Sequence, residues 1–247
     1  MLLRSLLLVV AFCTSISVQA LPETPEEFVK TFQSGGPAEQ EKAAQILAWA
    51  GLSSPQIFDL VEANVLKSLP LAKDRVTINY VAHLTKALAY SGNEKYRPTI
   101  EKVINEAPHK KLKKHAIQAL PMLPIYAKWN PIIVPKPWPD NSYPEVNERL
   151  ANMLKSDDAE LVRIAAKRIH HEHNYQPELL ALLNTSIEQN YQKNLDRDHL
   201  DAIAWVCRAL AGSRAAEYKA TIEKVASGAT EKKLRGYAKK YLSYYSN

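Results

Sequence analysis

The chain is poor in the residues from which many sites are built. It has two cysteines and seven glycines in 247 residues. Cys13 sits in a leader-like segment, so Cys207 stands alone and an internal disulfide is excluded. Cys207 falls in the helical run Leu200, Ile203, Ala204, Val206 and Leu210. That is the setting of a buried small hydrophobe, and no His-plus-carboxylate set stands nearby to make it a nucleophile. So few glycines leave little room for phosphate-cradling loops, and no Gly-rich turn, catalytic carboxylate pair or Ser/His/Asp set stands out. Convincing strand alternation is missing throughout. The apolar run Leu6–Phe12 is far shorter than the ~20 residues of a membrane span, and nothing later in the chain is longer.

With Arg4 before it and Val18-Gln19-Ala20 after it, that run reads as a secretory signal over residues 1–20. Bulky Phe12 ahead of Cys13 argues against a lipoprotein leader. The expectation is an exported protein without a membrane span, periplasmic or secreted. An exported chain without disulfides suits a bacterial periplasm. Loss of Arg4 with the leader takes the formal net charge from +6 to +5, which is modest for phosphate tracking, so nucleic acid is not an expected partner of an exported chain.

What the chain does have is a repeat. Residues 74–120 fall on residues 196–242 after a shift of 122 positions, without a gap and with 19 identities in 47 positions. The densest match sets Tyr96 to Val103 on Tyr218 to Val225, and Lys110-Lys111-Leu112 falls on Lys232-Lys233-Leu234. Upstream the match is fainter but keeps the same shift: Glu148, Ser156, Ala165, Ala166, Pro177 and Leu182 repeat Glu26, Ser34, Ala43, Ala44, Pro55 and Leu60. The pattern is a tandem duplication.

Each copy has helical period. Thr24-Pro25-Glu26-Glu27 opens a first helix, Pro37 a second that Gly51 stops, and Ser54-Pro55 a third. Asp74 caps a fourth to Ser91; a fifth runs to Ala107 and a sixth from His109 to Leu120. From Val146 the series starts again. Between the copies, residues 121–145 hold seven of the fifteen prolines, with Tyr126, Trp129, Trp138 and Tyr143. Proline removes donors and fixes an extended path, so this segment reads as an ordered, non-helical strap over the seam. It either covers exposed core or offers an aromatic ledge through Trp138.

Asp157-Asp158-Ala159-Glu160-Leu161-Val162-Arg163-Ile164-Ala165-Ala166-Lys167-Arg168-Ile169 resembles the second helix of a HEAT-type repeat. Pro177-Glu178-Leu179-Leu180 and Arg97-Pro98-Thr99-Ile100 resemble the opening of that family's first helix. The resemblance implies an all-α, right-handed solenoid of about six antiparallel helix pairs. They form two duplicated three-pair blocks, residues 21–120 and 146–247. Stacked pairs bury a continuous core and leave an extended concave face. Such folds mostly hold partners, which implies a non-catalytic role with no cofactor. Within the HEAT-like family the deoxyhypusine hydroxylases hold two irons with paired His-Glu steps. Here His171-Glu172 is one such step, and its duplicate, Trp49-Ala50, is none.

Two clusters are site candidates. In His170-His171-Glu172-His173, His170 and His173 share a helical face and suit zinc, copper or nickel, the alternative reading being a metal protein. Cations at a helix C-terminus are also favoured by the dipole without any metal. The second candidate is the pair of basic patches. Lys110, Lys111 and Lys113 in one copy match Lys232, Lys233 and Arg235 in the other. They form either a solvated face or two matched surfaces for an anionic partner, an acidic protein or a cell-envelope polymer.

Overall fold

The computed structural model describes residues 21–135 and 143–246; the leader-like residues 1–20 and Trp138 lie outside them. All regular structure among the described residues is helical. The first copy holds α1 (Pro25–Ser34), α2 (Pro37–Ile46), α3 (Pro55–Ser68), α4 (Arg75–Tyr90), α5 (Arg97–Glu106) and α6 (Lys110–Ala119). Then comes α7 (Met122–Ile133). The second copy holds α8 (Val146–Leu154), α9 (Ala159–His171), α10 (Pro177–Asn190), α11 (Arg197–Gly212), α12 (Lys219–Gly228) and α13 (Lys232–Tyr241).

The sequence explains where these helices start. Thr24 accepts from Glu27 N and the Glu27 carboxylate accepts from Thr24 N, a reciprocal cap followed by Pro25 in the first turn. Asp74 and Asp196 each accept from two backbone N–H groups at the heads of α4 and α11. The duplication is geometric as well. The bounds of α3, α4, α5 and α6, moved by 122 residues, coincide with those of α10, α11, α12 and α13. Matching bonds repeat too: Thr99 Oγ1 donates to Glu62, and Thr221 Oγ1 donates to Asn184 at 2.7 Å.

In each copy one row of helices is continuous: α2 packs on α4 and α4 on α6, then α9 on α11 and α11 on α13. The partner row is looser, α1 on α3 and α8 on α10. Two apolar clusters result. One runs from Phe28 to Leu123 and the other from Tyr126 to Tyr241, with Tyr90, Met122 and Tyr143 packed against both.

Residues 122–133 correct the expectation of a non-helical strap. Pro124 sits in the first turn of α7, where no intrahelical N–H is needed, and Pro131 gives up one bond near the end. Against those losses, Leu123, Tyr126, Trp129, Asn130 and Ile133 recur at helical spacing and are all buried. The segment is a core helix between the halves. Trp129 Nε1 donates to Asp158 at 2.8 Å, tying α7 to the cap of α9.

Close contact with α7 decides two glycines. Gly51 (φ +67°) and Gly92 (φ +63°) are left-handed, and a Cβ on either would overlap α7 or the residue after it. Moved by 122 residues, these two positions are His173 (φ +53°) and Arg214 (φ +59°), also left-handed. The backbone turn was kept in the second copy while the glycine was not.

Candidate partner-binding face

The continuous row α2–α4–α6 presents one edge of polar side chains. Asn79, His83 and Lys86 follow at helical spacing on α4, and Lys111, Lys114 and His115 do so on α6. Glu41 on α2 completes the group, its carboxylate 3.2 Å from His83 Nε2. Lys111 Nζ donates to Asn79 at 2.9 Å. Lys86, Lys111 and Lys114 form no ion pair among the described residues.

The imidazoles register the field of these cations. Burial lowers the His83 pKa most; Lys86 and Lys111 lower it further, and Glu41 opposes them. Burial likewise lowers His115 first, with Lys86, Lys111, His83 and Lys114 adding to the effect. His115 Nδ1 is buried with no hydrogen-bond partner. A depressed imidazole contributes stability that is full above its ordinary value and is lost as pH falls through the folded one. Melting scans between about pH 7 and about pH 5 are therefore expected to show a falling Tm, with His83→Gln/His115→Gln losing less over the same range.

The second copy fills the same face differently. Arg163, Asp201, Trp205, Arg208, Lys233 and Tyr237 stand where Glu41, Asn79, His83, Lys86, Lys111 and His115 do. Arg163 pairs with Glu160 and with Asp201 at 3.4 Å. Lys167 and Arg208 lie over the Trp205 ring at 5.1 and 4.8 Å. Lys233 shares a recess with Glu160, Asp198 and Asp201.

The expected matched patches are thereby divided. Lys110, Lys113 and Lys232 are exposed. Lys110 and Lys113 contribute to the field at neither imidazole. Arg235 is half-buried and turned inward, donating to Ala229 O and, at 2.9 Å, to Thr230 O, so it closes the end of α12. Of the first copy's candidates, Lys111 alone joins the cluster. Lys114 and His115, in the same basic run, join it too, whereas His83 and Lys86 on α4 were missed although their i, i+3 spacing was readable.

The proposed His170–His173 face also needs correction. Helix α9 ends at His171, and His173 lies beyond it in a left-handed turn, so the two do not share a helical face. The His170 ring lies 6.3 Å from Trp205, while His173 meets Tyr175 at 5.9 Å. Among the described residues no group of three or more His, Cys, Asp or Glu is placed to hold a metal ion. Cys207 is buried, and burial pushes its thiol up to about 12. No helix among the described residues is long and apolar enough to cross a membrane.

No protein-family model matches the chain, and no curated protein does. Among solved structures it is similar to human deoxyhypusine hydroxylase in complex with glycerol, at 10% identity and a TM-score of 0.37. That match covers 89% of this chain and 83% of the other. The expectation of a non-catalytic chain is corrected by this finding, since a solved structure that the chain is similar to is that of an enzyme. A likeness this distant transfers no reaction.

Proposed function

We propose that this is an exported, periplasmic protein whose helices form a right-handed HEAT-like solenoid of six antiparallel pairs in two blocks. It holds an acidic protein partner on the face of α4 and α6. The observation that carries this reading is the gathering of His83, Lys86, Lys111, Lys114 and His115 beside Glu41, the one carboxylate paired to any of them among the described residues. The three lysines have no carboxylate partner among the described residues, and such cations favour an anionic surface and speed its approach. The stacked pairs supply the length of surface that a protein partner needs.

The test compares two charge reversals. Lys86→Glu/Lys111→Glu is expected to weaken retention of acidic proteins from a cell-envelope extract, and of poly-L-glutamate, by about tenfold or more. Lys110→Glu/Lys113→Glu changes the net charge equally and is expected to retain both. If the first variant keeps every partner, the face is a solvated surface and the reading fails. Displacement by excess envelope polymer but not by acidic protein replaces the protein partner with the polymer.

A further inference from the structure

The two copies differ where a cavity opens in the second. In the first copy Gln40, Asn64 and Tyr80 are locked together. The Gln40 amide donates to Phe32 O at 3.2 Å and to Gly35 O at 3.0 Å. The Asn64 amide donates to Phe32 O at 2.9 Å and to Gln40 Oε1 at 3.2 Å, and the Tyr80 hydroxyl donates to the same Oε1. Gln40 and Tyr80 are buried, so this network fills the space between the α1–α2 and α3–α4 turns. Moved by 122 residues, the three positions are Val162, Ser186 and Ala202. All three line a cavity of about 670 Å³ between α8, α9, α10 and α11. The helices there keep the bounds of their counterparts α3 and α4, and the open volume shows that they have not closed over the smaller side chains.

The chemistry of the walls narrows the occupant. The floor is aliphatic, from Leu154, Val162, Leu182, Ala202 and Ile203, and the one ring in the lining is the His199 imidazole, held by Asp196. A flat ring would find no Phe, Tyr or Trp face to stack on. Lys155 and Lys193 stand at the rim where the first copy has Gln33 and Leu71, and neither forms an ion pair among the described residues. Of the rim carboxylates, Asp196 is already engaged by Asp198 N, His199 N and the His199 ring at 3.0, 2.9 and 2.9 Å. Asp157 is the other. The side chains of Ser186 and Gln189 make no hydrogen bond among the described residues and are left to meet a polar head. The volume lies within the usual range of small-molecule sites, about 300–1,000 Å³.

We propose that this cavity binds a small amphiphile with an aliphatic body and a carboxylate head. The body lies against Leu154, Val162 and Ile203, and the head faces Lys155 and Lys193. The site shares no residue with the α4–α6 face, and its test is independent of any protein partner.

Octanoate is the probe, titrated into the full chain by calorimetry with methyl NMR. Saturable binding is expected, with shifts concentrated on the methyls of Leu154, Val162, Ala202 and Ile203. Octylamine is expected to bind about tenfold more weakly than octanoate, since Lys155 and Lys193 then repel the head while Asp196 is taken up by its own helix cap and His199. Val162→Gln/Ser186→Asn/Ala202→Tyr puts the first copy's side chains back and is expected to abolish binding while helical circular dichroism is retained. If that variant does not fold, Ala202→Tyr alone and the wild-type methyl map decide the matter. Lys155→Met/Lys193→Met is expected to weaken octanoate about tenfold and leave octanol unchanged. Shifts scattered over surface methyls, equal affinity for octylamine, or unaltered binding in the filled variants would each overturn the proposal.

Discussion

Gly92→Ala is expected to lower the melting temperature by about 10 °C. The new Cβ would lie 2.4 Å from Ala127 N and 2.6 Å from Tyr126 C, both backbone atoms of α7. Backbone cannot swing aside as a flexible side chain can, so α7 must shift bodily. A left-handed L-residue costs about 1–2 kcal/mol, and displacing packed neighbours adds about 1–3 kcal/mol. For a chain of this size each kcal/mol moves Tm by about 2–4 °C. The control is Arg214→Gly at the duplicated position, where φ is +59°. It relieves strain in exchange for unfolded-state entropy and is expected to stay within about 1 kcal/mol of wild type. Equal shifts in the two variants would mean that the pressure of α7 is not what requires glycine.

Asn130→Leu is the second large effect. The Asn130 amide is buried in α7 and donates to Leu52 O at 3.1 Å, Tyr90 O at 2.9 Å and Ser91 O at 3.1 Å. Its two hydrogens are shared by three carbonyls at the ends of the first copy's helices. Leucine keeps the bulk and removes the donors. Leaving buried acceptors unmet costs about 1–3 kcal/mol each, so a loss of about 3 kcal/mol is expected in chemical denaturation. The shape of the transition should change too. Tyr126 and Trp129 belong to the second copy's cluster, whereas Asn130 reaches into the first. Without that link, unfolding is expected to split into two steps; a single transition with unchanged midpoint would refute the assignment.

Much of the architecture could be read from residues. The gap-free repeat gave the helix order, and Asp74, Asp196 and Pro177 marked helix starts that the structure shows. Helix α7 is hidden by the seven prolines of residues 121–145, although only Pro124 and Pro131 fall within it and Leu123, Tyr126, Trp129 and Ile133 keep helical spacing. The basic face was half seen. Lys110, Lys111 and Lys113 are close neighbours in the chain, but a helix separates successive residues by about 100° and gathers those three and four apart. His83 and Lys86 come from another helix, and only packing brings them to Lys111. The cavity depended on a comparison of copies at Gln40, Asn64 and Tyr80. The repeat relates these positions to Val162, Ser186 and Ala202, but that the three side chains meet follows from packing alone.

The left-handed turns have met unequal fates in the two copies. A helix laid across Gly51 and Gly92 joins the first copy to the second. At the other end His173 and Arg214 present side chains in that same place. A helix set on the second copy as α7 is set on the first would meet the His173 and Arg214 side chains, so the turns of the two copies are not equivalent seats for a helix.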